Sequence, residues 1–198
     1  MRFNFFGTQV HIGFMFSAVI MLLMIFDKSN TAVFALMAAV LHEFAHLACL
    51  IFFEQPPKNV EINALGMKIS RGQNTKLSLG KEAIVALAGP LMNFSVAFFT
   101  ALLTNMSWTN KAIAINLSLA IFNLLPIFEL DGGRAIYYLL CIKMQEKTAS
   151  RVLTVFSVIT LFFLYLLGFL VLFKTKYNFT LIMATIYLTV LMITKNHW

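Results

Sequence analysis

The chain has 198 residues, 60% of them hydrophobic and only 12% charged, with a mean hydropathy of +0.84. Soluble domains carry about 25% charged and about 45–50% apolar residues, so this chain has too little charge to clothe a water-facing surface and belongs in a bilayer. The net charge of +7 does not point to nucleic acid, because the Lys and Arg residues fall between apolar runs, where they act as topology signals.

In chain order, residues 2–12 mix Phe with polar side chains around Gly7 and do not read as helix. A first apolar run covers residues 10–26 and stops at Asp27-Lys28-Ser29-Asn30; no small-residue cleavage site precedes Asp27, so the run is expected to stay as a span. A second covers 31–53 and stops before Glu54 and Pro56-Pro57. Residues 59–71 alternate apolar Val60, Ile62 and Ala64 with Glu61 and Asn63, turn near Gly66, and resume through Met67 and Ile69. That alternation predicts a β-hairpin lying at the inner interface or lining a cavity, since an open strand edge cannot face lipid. Further apolar runs cover 82–103, 111–126, 152–173 and 177–194, the fourth of the six being short and broken by Pro126. Crossing the hydrocarbon takes roughly 17–25 residues; five runs meet that length and the fourth falls short.

The expected fold is therefore an all-α polytopic membrane protein of about six transmembrane helices with a small membrane-associated hairpin near the cytoplasmic side. It forms one domain over 1–198, with core motifs in 31–134 and accessory spans in 152–194. With the N-terminus inside, the inner face carries eleven basic residues (Arg2, Lys58, Lys68, Arg71, Lys76, Lys81, Arg134, Lys143, Lys147, Arg151, Lys195) and the outer face four (Lys28, Lys111, Lys174, Lys176). That bias predicts cytoplasmic ends. Cys49 and Cys141 have no metal-type spacing and read as small buried or interfacial residues without a disulfide.

The second run contains His42-Glu43-Phe44-Ala45-His46. Residues four apart share a helix face, so both imidazoles can meet one ion while Glu43 reaches a water beside it, the spacing of a zinc hydrolase. Each ionisable group at the centre of a membrane helix costs roughly 2.5–3.5 kcal/mol, so three within five residues need a compensating partner. The third ligand is expected to be Asp131, in Leu130-Asp131-Gly132-Gly133-Arg134. The shortened fourth run leaves it near the depth of His46, which lies about 10 Å from the inner end of its span at 1.5 Å per residue. Read alone, Asp-Gly-Gly would be a turn. Asp27 lies at the wrong face, Glu129 is offset by two positions, His11 reads as an interfacial histidine, and His197 lies in the tail.

Together with Asn123-Leu124-Leu125-Pro126-Ile127-Phe128-Glu129-Leu130-Asp131-Gly132-Gly133 and Ala88-Gly89-Pro90-Leu91-Met92-Asn93, the H-E-x-x-H motif makes the chain resemble the site-2 protease family, peptidase family M50. The third motif is similar to one at the start of that family's third core helix. The six-span layout and short N-terminal strand most resemble the stage-IV sporulation FB protease subgroup. That subgroup usually has proline where Glu129 stands and a C-terminal CBS domain, which is not expected here.

The resemblance implies an intramembrane zinc metalloprotease that cleaves within or next to transmembrane segments of a membrane-protein or pro-protein substrate. Glu43 would be the general base and His42, His46 and Asp131 the Zn2+ ligands. Asn123 and Pro126 would position substrate, although Asn123 could instead brace the loop. The setting it implies is a multi-pass protein of a bacterial cell membrane, with room for a membrane-bound regulator and a role in sporulation. A membrane transporter and an inactive relative that only binds membrane segments are the competing readings. The transporter predicts polar residues strung across several spans, and the inactive binder has no need of Glu43.

Overall fold

In a computed structural model, the structure describes residues 2–5, 8–12, 21, 24–25, 27, 29–57, 59–63, 66–70, 77–103 and 106–194. The expected first span falls almost wholly outside them, as do the turn at 64–65 and His197.

Helix α1 (Thr31–Phe52) begins where Asp27 captures free backbone donors. Its Oδ2 accepts from the Ala32 N–H at 2.5 Å and its Oδ1 from the Ser29 N–H at 2.9 Å. The Ser29 hydroxyl also donates to Asp27 at 2.7 Å. These contacts, the Ser29 hydroxyl first, hold the carboxyl below its ordinary range. The start of α1 is thus supported above that range and loses this support as pH falls through the lowered value. At the other end Glu54 takes a left-handed conformation (φ 59°) and Gln55 N–H closes onto the Leu50 carbonyl at 2.9 Å. Pro56-Pro57 then prevents continuation.

Helix α2 (Leu79–Leu103) is the hub of the bundle, packing on α1, on α3 (Thr109–Asn123) and on α4 (Asp131–Lys143). Its sequence explains why. Ala83, Ala86, Gly89, Pro90, Asn93 and Ala97 are its buried residues, a seam of small side chains at helical spacing that lets neighbouring backbones approach closely. The Ala88-Gly89-Pro90 motif therefore lies inside the helix, not at its start as expected, because α2 already begins at Leu79.

α3 ends at Asn123, three residues ahead of Pro126. The Asp-Gly-Gly sequence then opens α4 as its first turn, following an extended Leu130. The sequence segmentation has no helix there: α4 opens on Asp, Gly, Gly and Arg, and its apolar stretch, 135–142, is too short to be marked as a span.

α5 (Glu146–Thr175) packs on α4 and on α6 (Thr180–Thr194). A cluster of Ile127, Leu161, Leu164, Leu188 and Met192 closes the gap between them. Among the described residues α1, α2 and α5 are long and apolar enough to cross a membrane, while α6 is a shorter apolar helix. Phe, Leu, Ile and Met side chains stand exposed along these helices, as expected for walls that face lipid.

The four strands β1 (Arg2–Phe5), β2 (Thr8–Ile12), β3 (Asn59–Asn63) and β4 (Gly66–Ser70) form one sheet in chain order. β1–β2 and β3–β4 pair antiparallel, while β2–β3 pair in parallel with Val10 opposite Val60. The parallel pair requires a long crossover, which residues 13–58 supply. This arrangement places His11 in β2, in register with Glu61.

Candidate metal centre

On α1, His42, Ala45 and His46 are buried, and the two imidazoles stand edge to face with ring centres 4.9 Å apart. Their shared face follows from the four-residue spacing. Asp131 reaches the same point from the first turn of α4. Its Oδ2 lies 2.9 Å from His42 Nε2 and 3.4 Å from His46 Nε2. One ligand atom from each of the three residues lies within 4.8 Å of the other two. Ligands about 2.0–2.2 Å from a tetrahedral ion stand roughly 3.3 Å apart, so the set is close to the size of one small cation.

The donor chemistry agrees. His46 Nδ1 lies 2.7 Å from the Val85 carbonyl oxygen, which can only accept, so the ring proton sits on Nδ1 and Nε2 offers a lone pair. His42 Nδ1 lies 2.6 Å from Asn93 Oδ1. Ring nitrogens engaged from behind by an acceptor are the usual support of a metal-binding histidine. Two imidazole lone pairs and a carboxylate oxygen then converge on one point, an arrangement suited to a cation between them.

Gly89 forms the wall of this point. A Cβ built there would lie 2.4 Å from His46 Nε2 and 2.5 Å from His42 Nε2, so any side chain at 89 would occupy the space between the ligands. Gly132 and Gly133 serve the third ligand. A Cβ at 132 would meet the Leu124 carbonyl oxygen at 2.2 Å, and one at 133 the Ile127 carbonyl oxygen at 1.9 Å. The first turn of α4 thus lies directly on the 124–127 backbone, and that contact sets the position of Asp131.

The irregular segment between α3 and α4 is fastened from α5. Ser157, fully buried, accepts from the Phe128 N–H at 3.1 Å, and its hydroxyl lies 3.2 Å from the Pro126 carbonyl and 2.9 Å from that of Leu153. Asn123 is half-buried at the end of α3, where its Nδ2 donates to the Leu119 carbonyl at 3.0 Å. Pro126 is half-buried in the same segment, and Glu43 is half-buried beside His42 on α1.

Sequence reasoning found the three converging residues but not Ser157, Asn116 or the contact made by Asn93. The available signal was the presence of Asn and Ser inside apolar runs, since a polar side chain at membrane depth needs a partner.

Residues 106–167 match the model of Peptidase family M50, a stretch that includes Asn123, Pro126 and Asp131, with the H-E-x-x-H residues upstream of it. The chain is 29% identical over 121 residues to Stage IV sporulation protein FB of Bacillus subtilis (strain 168), covering 59% of this chain and 42% of that protein. The match thus spans less than half of the curated relative. In three dimensions the chain is similar to the Site-2 Protease from Methanocaldococcus jannaschii, with a TM-score of 0.66 and 21% identity over 95% of this chain and 91% of that one. Part of the chain is similar to peptidase family M50, and the chain carries the site-2 protease fold.

Proposed function

We propose that this protein is an intramembrane zinc metalloprotease that hydrolyses peptide bonds within or next to transmembrane segments of a membrane-protein or pro-protein substrate. The convergence of His42 Nε2, His46 Nε2 and Asp131 Oδ2 on one point, with Glu43 one residue from His42, carries the reading. His42, His46 and Asp131 would hold the metal. When bound, zinc would supply Lewis acidity to the scissile carbonyl and to the attacking water. Glu43 takes the proton from that water and returns it to the leaving amine. Asn123 contacts substrate backbone through Oδ1 and the second Nδ2 hydrogen, the first being donated to the Leu119 carbonyl, and Pro126 shapes the segment beside it.

A helical substrate hides its carbonyls in its own hydrogen bonds and must be unwound before attack. Strand addition would hold the unwound stretch by main-chain pairing. β3, however, is flanked on both sides by β2 and β4 and has no free edge. β4 is the edge to which we assign substrate pairing. The same reading places six spans in a bacterial cell membrane with both termini cytoplasmic, in keeping with the basic-residue bias. Participation in sporulation is supported by similarity to the Bacillus protein.

The test is the zinc content of the purified chain beside His46→Ala and Asp131→Ala, together with cleavage of a membrane-anchored reporter. About one zinc per chain, lost in both variants, and reporter cleavage reduced about 100-fold or more by Glu43→Gln support the reading. A folded wild type without zinc overturns it. Bound zinc with no cleavage of any reporter moves the assignment to an inactive binder.

A further inference from the structure

A chain of buried polar groups runs from His42 through α2 into α3. Asn93 is 0% exposed and Asn116 is 5% exposed. Each lies on the buried face of its helix, among Gly89, Pro90 and Ala97 on α2 and Ala112 and Ala120 on α3. Buried amides in an apolar bundle are costly unless their donors and acceptors are paired.

Here the pairing has a direction, because two backbone carbonyls can only accept. The Ala112 carbonyl lies 2.9 Å from Asn116 Nδ2, which turns Asn116 Oδ1 toward α2. Asn93 Nδ2 donates to that oxygen at 2.9 Å and, with its second hydrogen, to the Ala38 carbonyl at 3.1 Å. Asn93 Oδ1 is then left facing His42 Nδ1 at 2.6 Å. Reversing the Asn93 amide would set its oxygen against two others that have no hydrogen to give. The donor in the last link is therefore His42.

We infer that Asn93, oriented in turn by Asn116, is a positioning residue that holds His42 in the Nδ1–H tautomer and so presents the Nε2 lone pair to a divalent metal ion. The inference rests on the metalloprotease reading and adds to it a control of ligand orientation by α3, a helix that supplies none of the three ligands. Both asparagines act through His42 and need not touch substrate.

The experiment uses the full chain in lipid nanodiscs, labelled with 15N-histidine and stripped of metal. The His42 signals are assigned by their loss in His42→Ala. The wild type should show a protonated Nδ1 on His42, and Zn2+ should bind at its Nε2. Titration with Zn2+ against a chromophoric chelator should give a dissociation constant raised about 10–100-fold in Asn93→Leu. A smaller rise, with loss of the single-tautomer spectrum, is expected in Asn116→Leu. Helix content by circular dichroism and thermal unfolding confirm that the variants fold. If Asn93→Leu does not, Asn116→Leu and the wild-type spectrum carry the test. His42 unprotonated at Nδ1 in the wild type, or Zn2+ affinity within about twofold of wild type in both variants, overturns the inference while leaving the protease reading in place. A wild type that binds no Zn2+ overturns both.

Discussion

At the scale of single residues, glycine decides as much as the ligands do. His42 and His46 could stand four apart on any helix, yet they face a usable space only because position 89 lacks a side chain. In Gly89→Ala the new Cβ would lie inside van der Waals distance of both Nε2 atoms. The imidazoles belong to a buried helix face and have little room to retreat, so the space between them is what fills. The expected result is a folded protein that has lost its zinc, read by metal analysis beside a thermal unfolding curve; full metal content in Gly89→Ala would show that the histidines can move aside. Gly133→Ala differs because its clash is with the Ile127 backbone, so displacement of the whole first turn of α4 is expected.

At the scale of elements, the connection between α3 and α4 is where regular structure is given up, and irregular backbone at membrane depth must be satisfied by protein. Ser157 does this from α5, taking the Phe128 N–H while its hydroxyl proton faces the Pro126 and Leu153 carbonyls. Ser157→Ala removes the hydroxyl that accepts from the part-buried Phe128 N–H, at a cost of about 1 kcal/mol for a lost hydrogen bond. The measurement is unfolding of the variant beside wild type. A loss well under 1 kcal/mol would mean that water or a shifted backbone takes over. The sheet offers a second contrast. Proline in β3, at Val60 or Ile62, breaks a strand paired on both sides and should damage the sheet itself. Proline along β4 at Met67, Lys68 and Ile69 in turn should include positions whose N–H points away from β3. Those variants should keep the sheet and lose cleavage, whereas undiminished cleavage by every β4 variant would remove the edge from the mechanism.

For the whole molecule, the site is a junction of elements far apart in the chain. α1 brings two of the proposed ligands, α4 the third, and α2 packs on both helices as support. A metal ion held there would cross-link α1 to α4 in the folded state only. Removing it with a strong chelator should lower thermal stability by RT ln(1 + [metal]/Kd), about 2.7 kcal/mol when free metal stands at 100 times Kd. Restoring zinc should reverse the loss, and the His46→Ala protein should not respond. An unfolding curve indifferent to chelator and zinc would argue that no ion joins the two helices.

Sequence alone determined the solvent, most of the helical segments and the converging side chains, because each is a matter of composition or short-range spacing. Low charge demands a bilayer, four-residue spacing puts two histidines on one face, and ionisable groups in apolar runs are too costly to be incidental. It did not reveal α4, whose apolar stretch is too short to mark a span, nor the order of strands in the sheet, which depends on a parallel crossover between segments nearly fifty residues apart. The supporting polar groups were equally out of reach. Asn93, Asn116 and Ser157 find partners on other helices or in the loop before α4, 23 to 55 residues away for the bonds that leave their own helix. Only the packing of α1 and α3 onto the small-residue seam of α2, and of α5 onto the loop before α4, brings those partners within hydrogen-bond distance. Long-range pairing of this kind is decided by how closely backbones approach, a property that belongs to the assembled bundle.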